Sequence, residues 1–366
     1  MKPNTLLELF DATVLSLKKS DRIAIIHDKD PDGICSAVIL SELIERVRGK
    51  PVDVRINSPR SSYVPSPSQV SSLRKKKITH IFSTDLSLDS YPELVKSLSS
   101  FAKLFIIDHH KLHPTNMKNV VLFKPQYLFP EIKPNEYCTA KLVYDLSNRI
   151  ADLQHLDWLA AVGSIADMAT GPWKKWISSV FKKYKISHNN DFFRTKFGKI
   201  ATMINNACIY DIKNAELCFF AIKNSKNPDA FIRSRVSSFS NAVEKEITKW
   251  IKSSDQAEWN RKLGLIWYSL NPSFPISSVI STILSLKHQD YVVIVIRPEG
   301  KFYSMSARCQ DRHIAVNDLL EKATKGLKDA HGGGHIPAAG GQILKTDLQI
   351  FKKRVIAELE KNLNNT

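Results

Sequence analysis

No stretch of this 366-residue chain approaches the roughly 18 consecutive apolar residues needed to cross a bilayer, so a membrane-spanning protein is not expected. Its N-terminus, MKPNTLLELF followed by Asp11, lacks the uninterrupted apolar core and small-residue cleavage site of a secretory leader, and the mature chain is expected to start near Met1. Cysteine is sparse. Cys35, Cys138, Cys208, Cys218 and Cys309 are an odd number, widely scattered and without a C-x-x-C pair, which suits a reducing cytoplasm. Acidic residues are the minority: 36 Asp and Glu face 53 Lys and Arg, giving a formal charge of +17 that favours attraction to polyanions while saying nothing about fold. Neither an internal repeat nor a low-complexity tail is visible.

What is present is an ordinary globular composition, 43% hydrophobic and 24% charged, in a chain long enough for about two domains with cores that need neither disulfides nor structural zinc. The first part alternates short β-branched runs with amphipathic stretches. Strands are expected at Arg22–His27, Val52–Ile56, Ile78–Thr84, Lys103–Ile107 and Val120–Phe123, with a helix at Ile34–Arg48. This βαβ rhythm implies an α/β fold with a parallel sheet, in which chemistry gathers at the carboxyl ends of the strands. Asn57–Gln69, rich in Ser and Pro, reads as a surface loop. Helical periodicity runs from Thr139 to Asp167 and through most of Trp173–Lys252, with loops at His188–Asp191 and Asn224–Asp229. The charged stretch Lys249–Lys262 reads as a connection to a second, smaller α/β domain. Strand Leu263–Ser269, helix Ile276–Leu286, strands Tyr291–Arg297 and Lys301–Ser306, helix Ile314–Gly326 and a glycine-rich turn at His331–Gly341 are expected there. The resulting division is a catalytic domain over 1–172, a helical region and linker over 173–262, and a substrate-binding domain over 263–366.

Directly after the first strand, Asp28-Lys29-Asp30-Pro31-Asp32-Gly33 places three carboxylates at alternate positions in a tight turn. Such packing of like charge is costly unless a cation neutralises it. A calcium loop of EF-hand type begins similarly but needs a Glu at its twelfth position, where this chain has Ile39, and a helix before it where this chain has a strand. Later strands also end in possible ligands, Asp85 after Ile78–Thr84 and Asp108-His109-His110 after Lys103–Ile107. Asp85 alone would be an ordinary turn residue; three successive strand ends bearing Asp or His form a pattern. Asp167 lies in Gly163-Ser164-Ile165-Ala166-Asp167-Met168 at the end of an apolar helical stretch, where a carboxylate needs a partner. Asp and His ligation without cysteine favours Mn²⁺ or Mg²⁺, with imidazole tilting toward Mn²⁺. Two such ions bridged by one carboxylate would activate a water for phosphoryl displacement. In the second domain, glycines Gly332, Gly333 and Gly334 with His335 could offer donors to a phosphate, or form a purely structural hairpin. Arg308, just after a strand, offers a guanidinium matched to phosphate geometry.

Taken together, DKDPDG with Cys35-Ser36-Ala37 behind it, STD at Ser83–Asp85, DHH at Asp108–His110, GSIADM at Gly163–Met168, SAR at Ser306–Arg308 and GGGH with AAG at Gly332–Gly340 closely resemble the DHH phosphoesterase family with its DHHA1 partner domain, most of all its RecJ-like archaeal and bacterial members. The resemblance spans Asp28 to Gly340. It implies two divalent cations, Mn²⁺ preferred or Mg²⁺, held by Asp30, Asp32, Asp85, His109 and Asp167, with Asp85 as the bridge, Asp28 a further ligand and His27 a weaker candidate. It also implies that His110 stabilises the transition state at the scissile phosphate, and that Arg308, Gly332–Gly334 and His335 hold a substrate phosphate or terminal nucleotide. Trp173–Lys252 matches nothing in the family and is a candidate for specificity, and no segment reads as the extra oligonucleotide-binding domain of full-length bacterial members.

The function this implies is a metal-dependent exonuclease on single-stranded DNA or RNA, of either polarity, with Trp267, Tyr268 and Tyr303 as base-stacking or core aromatics. The alternatives are a phosphodiesterase of short oligonucleotides or cyclic dinucleotides, a pyrophosphatase or polyphosphatase, and a scaffold for replication or repair proteins. Every expected ligand position is filled, which argues against a purely structural role.

Overall fold

The computed structural model describes residues 3–59, 64–187, 191–311 and 313–364. Residues 60–63 of the expected loop Asn57–Gln69, and 188–190 of the expected loop at His188–Asp191, lie outside the described residues. The chain divides into two compact units, Met1–Asn241 and Ala242–Thr366.

The first unit is built on a five-stranded sheet of β1 (Ile23–His27), β2 (Val54–Asn57), β3 (His80–Thr84), β4 (Lys103–Ile107) and β5 (Val120–Phe123), ordered β2-β1-β3-β4-β5 and parallel throughout. Alternation along the strands splits the core in two. Ile23, Ile25, Phe82, Phe105, Ile107 and Phe123 pack with helices Pro3–Leu15, Pro31–Arg48, Thr139–Asn148 and Asp157–Ala166. Ala24, Ile26, Ile81, Leu104, Ile106 and Leu122 pack on the opposite face with Val70 and Leu73 of helix Pro67–Lys75 and Val95 and Leu98 of helix Pro92–Ser99. The loop expectation for Asn57–Gln69 overran this side: Ser66 and Gln69 form a reciprocal capping box that starts helix Pro67–Lys75. Residues 173–241 do not stand apart as a linker. Ile177, Phe181, Phe197, Ile204, Phe219 and Phe231 join the same core as Ile39, Leu43 and Trp158.

Asp53 ties the start of β1 to the end of helix Pro31–Arg48. Its carboxylate accepts hydrogen bonds from the Ile23 amide at 2.9 Å, Arg48 Nη1 at 2.8 Å and Lys50 Nζ at 2.8 Å. Partial burial alone would raise its pKa, but these donors hold it down to about 2. The carboxylate therefore contributes stability that is fully present above its ordinary value and lost as pH falls through about 2. Asp53→Asn is expected to be less stable than the native chain by a margin that is constant above about pH 4 and shrinks as pH falls toward 2, read by denaturant unfolding along a pH series.

The second unit carries a six-stranded mixed sheet of β6 (Glu258–Asn260), β7 (Leu265–Ser269), β8 (Val292–Glu299), β9 (Phe302–Arg308), β10 (His331–His335) and β11 (Ala338–Leu344). The order is β10-β11-β9-β8-β7-β6, with only β7 and β8 parallel. Helices Val316–Thr324 and Leu348–Asn364 cover one face, burying Leu320, Phe351 and Val355 against Trp267, Ile294 and Met305. Helix Ser277–Lys287 packs against β8 and β9.

The edge of this sheet corrects one expectation. The stretch Lys249–Lys262 is not a bare connection: helix Val236–Lys252 runs into it, and β6 adds an edge strand whose three residues are all exposed. Such a strand is held by backbone pairing and leaves no hydrophobic pattern in the sequence. The glycine-rich segment His331–Gly341, for which a phosphate-binding turn and a structural hairpin were both expected possibilities, forms a hairpin pairing β10 and β11 from His331↔Gln342 to His335↔Ala338. A Cβ on Gly341 would sit 2.2 Å from the His331 carbonyl oxygen, so close strand approach is what demands glycine there. Among the described residues no helix is long and apolar enough to cross a membrane.

Candidate metal centre

The parallel sheet delivers polar residues to one edge because β1, β3, β4 and β5 are neighbours and each is followed directly by a charged side chain, Asp28, Asp85, Asp108 and Lys124. After β1 the chain turns through Asp28 into helix Pro31–Arg48. Asp30 is the N-cap, accepting from the Gly33 amide at 2.8 Å, and Pro31 opens the first turn. Asp28 accepts from the Lys29 amide at 2.7 Å and from the Ser58 hydroxyl. Asp85 leaves β3 in a left-handed conformation, φ +59°, which Asp tolerates better than most residues. Asp167 ends helix Asp157–Ala166, and Met168 after it is also left-handed at φ +57°.

Asp32 is fixed by a different element. Its two oxygens accept the backbone amides of Thr139 at 2.7 Å and Ala140 at 2.8 Å, at the N-terminus of helix Thr139–Asn148, where the helix dipole favours a negative charge. The Thr139 hydroxyl donates to Asp85 at 3.0 Å. Helix Asp157–Ala166 can approach only because residue 163 is glycine: a Cβ there would lie 2.5 Å from Asp32 Oδ1.

These residues converge. Ligand atoms lie within 4.8 Å of one another in each of three sets: Asp28, Asp30 and Asp85; Asp32, His109 and Asp167; and Asp85, His109 and His110. His109 Nε2 is 3.0 Å from Asp167 and 3.5 Å from Asp85. His27 stands outside these sets: its ring is buried, donates Nδ1–H to the Asp28 carbonyl at 2.6 Å and stacks on Phe219, and burial lowers its pKa to about 4.

The electrostatics fit a divalent cation. Burial, then repulsion from Asp28, Asp167 and Asp32, raises Asp30 to about 8; burial and Asp167 raise Asp32 to about 6; and burial with the neighbouring Asp residues pushes Asp85 up well beyond the carboxylate range. Burial opposes protonation of His109, but Asp167 and its fellow carboxylates outweigh it and hold the ring near 9. An imidazolium offsets only part of this negative charge; a divalent cation would offset more. His109 Nδ1 is buried without a hydrogen-bond partner. Burial and adjacent carboxylates push the thiols of Cys35 and Cys138 up, so the donors on offer are oxygen and imidazole nitrogen, suited to Mn²⁺ or Mg²⁺.

A second layer escaped the sequence reading. Lys124, directly after β5, is fully buried and lies 2.9 Å from Asp108, and it donates to both Asp89 oxygens at 2.9 and 2.7 Å and to the Lys111 carbonyl at 2.9 Å. Asp108 in turn faces His110 Nδ1 at 2.6 Å. Burial would raise the Asp108 pKa, but the hydrogen bond and charge of His110, with Lys124 beside them, hold it well below the usual range. His110 shows the converse: burial lowers its pKa, and Asp108 more than compensates, so the ring is held above its ordinary value. Asp108 is thus a bridge between a buried cation and the half-exposed His110 ring. The only sequence signal for Lys124 was its position as a fourth strand end.

In the second unit, Arg308, Ala338 and His335 are directly paired across β9, β11 and β10, which puts Arg308 and His335 on one face of that sheet. The Arg308 guanidinium donates to Ser278 Oγ at 2.9 Å, Thr282 Oγ1 at 3.2 Å and the Ala307 carbonyl at 2.9 Å. Gly332, Gly333 and Gly334 belong to the edge strand β10. Trp267 and Tyr268 are buried, so of the three aromatics suggested for stacking only Tyr303 keeps appreciable exposure.

The family model described as DHH family, N-terminal domain, matches residues 22–166, and that of the DHHA1 domain matches residues 274–361. No curated protein sequence matches the chain. Among solved structures, exonuclease RecJ bound to manganese is 19% identical over 98% of this chain and 96% of its own, with a TM-score of 0.73. A DHH-domain protein described as a member of a family of ribosomal proteins is 15% identical over 97% and 89%, at 0.72. RecJ of Thermus thermophilus in complex with Mn²⁺ is 18% identical over 98% of this chain and 54% of its own, at 0.68. At these identities the likeness is one of fold.

Proposed function

Because the chain belongs to the DHH family, with a DHHA1 domain following the DHH domain and a RecJ-like fold, we propose that it is a divalent-metal-dependent phosphodiesterase acting as an exonuclease on single-stranded DNA or RNA. The observation that carries this reading is the convergence of Asp28, Asp30, Asp32, Asp85, His109 and Asp167, the proposed metal ligands, at one sheet edge. Divalent cations bound there would neutralise the phosphodiester and activate water for its hydrolysis.

The protein's own groups then have separable roles. Thr139 and Ala140 fix Asp32, and Thr139 also orients Asp85. His110, its Nδ1 tied to Asp108 and its ring half exposed, can donate Nε2–H to a phosphate oxygen as charge develops. Next to Asp167, Met168 is 74% exposed and Phe193 48% exposed, and with Ile165 and Thr170 they line a shallow pocket suited to a stacked base. The net charge of +17 supports steering of a polyanion. Arg308 and His335, on one sheet face, are proposed to hold a substrate phosphate with the backbone of Gly332–Gly334. All five cysteines are buried and none forms a disulfide, which supports a cytoplasmic setting.

End-labelled single strands of DNA and RNA, from dinucleotide to about 30-mer, distinguish the readings when incubated with the chain and Mn²⁺. Stepwise release of mononucleotides from the long strands is the expected result, and it sets polarity and sugar preference. Cleavage confined to the shortest substrates would instead assign a short-oligonucleotide phosphodiesterase, and no turnover on any of them would favour a scaffold.

A further inference from the structure

A second cluster of metal-type donors lies in the other unit, in the loop that follows β9, and the phosphodiesterase reading makes no use of it. Cys309, Asp311 and His313 stand at alternate positions, with one ligand atom each gathered within 4.8 Å. Cys309 Sγ is 3.1 Å from Asp311 Oδ1 and 3.3 Å from His313 Nδ1, and Asp311 Oδ1 is in direct contact with His313 Nδ1. Donors bound to one zinc ion at bond lengths of about 2.0–2.3 Å lie roughly 3.3–3.7 Å apart, so small outward shifts would accommodate the ion.

The loop is framed on both sides. The Cys309 amide donates to the Pro337 carbonyl at 3.1 Å, the Val316 amide to the Ile336 carbonyl at 2.9 Å, and the Gln310 side chain to Ser285 Oγ at 2.8 Å. Cys309 is fully buried, whereas the Asp311 and His313 side chains are 41% and 42% exposed. The cluster thus has a protein side that supplies sulfur and a solvent side from which a water can complete four-coordination.

We propose that Cys309, Asp311 and His313 form a zinc site that clamps the loop directly behind Arg308. Its sulfur donor separates it chemically from the oxygen and imidazole centre of the first unit: thiolate with imidazole selects Zn²⁺, and carboxylates with imidazole suit Mn²⁺ or Mg²⁺. A search for C-x-x-C pairs misses it because the ligands are of three residue types spaced C-x-D-x-H.

The full chain, stripped of metal and kept reduced, is titrated with Co²⁺ while thiolate-to-cobalt charge-transfer absorption is followed. The expected result is a band that saturates at one thiolate-bound Co²⁺ per chain, is displaced by Zn²⁺, persists in Asp85→Ala and disappears in Cys309→Ser. His313→Gln alters an exposed side chain and so preserves the fold; it is expected to weaken Zn²⁺ binding by at least the roughly 10- to 100-fold that even an outer-shell change costs. Absence of the band in the native chain, its survival in Cys309→Ser, or unchanged Zn²⁺ affinity in His313→Gln would each overturn the proposal.

Discussion

Asp85→Ala is expected to lower Mn²⁺-dependent hydrolysis of single-stranded oligonucleotides by about 10³-fold or more, because several kcal/mol of transition-state charge stabilisation are at stake and each ~1.4 kcal/mol is a factor of ten. The same substitution should leave the metal-free protein as stable as before, or more so. Asp85 is buried among Asp32, Asp30, Asp167 and Asp28, and its pKa is pushed up by burial first and by those carboxylates next. Without a cation, folding must therefore bury a charge beside like charges or take up a proton, and removing the group relieves both costs. Thermal unfolding with and without Mn²⁺ separates the two effects: the native chain should gain stability on adding the ion, and Asp85→Ala should gain much less. A variant that is inactive and also unfolded without metal would mean that Asp85 is a structural residue.

Lys124→Met has a different signature. It leaves Asp89 as a buried carboxylate without its cation and Asp108 with His110 alone, an arrangement that costs about 3–5 kcal/mol and is read as a Tm drop on the order of 10 °C for a unit of this size. Adding Asp89→Asn removes the stranded charge and should recover part of the loss, since Lys124 and Asp89 are in direct contact. Activity is expected to fall in the single variant, because the Asp108 carboxylate that orients His110 loses its buried anchor. Native stability in Lys124→Met would show that the network contributes nothing to the fold.

The contrast between these two residues shows what the sequence could disclose. Asp85 was legible because it follows an apolar, β-branched run, and parallel-sheet topology gathers such strand ends on one edge. Asp28, Asp30, Asp32 and His109 were legible on the same logic, and Asp167 as a carboxylate ending an apolar helical stretch, together with the resemblance to the DHH family. Lys124 and Asp89 were not, since a buried ion pair between residues 35 positions apart leaves no periodicity. The division of the chain misled for a related reason. Helical periodicity in Trp173–Lys252 was visible, but which core receives Phe197, Phe219 and Phe231 depends on tertiary packing that no local pattern encodes. Glycine was ambiguous. The run at Gly332–Gly334 left a phosphate-cradling turn and a structural hairpin both open, and tight strand approach under helix Val316–Thr324 explains the small residues of that hairpin, Gly341 among them.

The most direct test of the central claim is anomalous diffraction from crystals of the chain grown with Mn²⁺. Manganese peaks are expected within bonding distance of Asp85 and His109, with the remaining ligands drawn from Asp28, Asp30, Asp32 and Asp167. Manganese bound elsewhere, or none at this edge of the sheet, would contradict it.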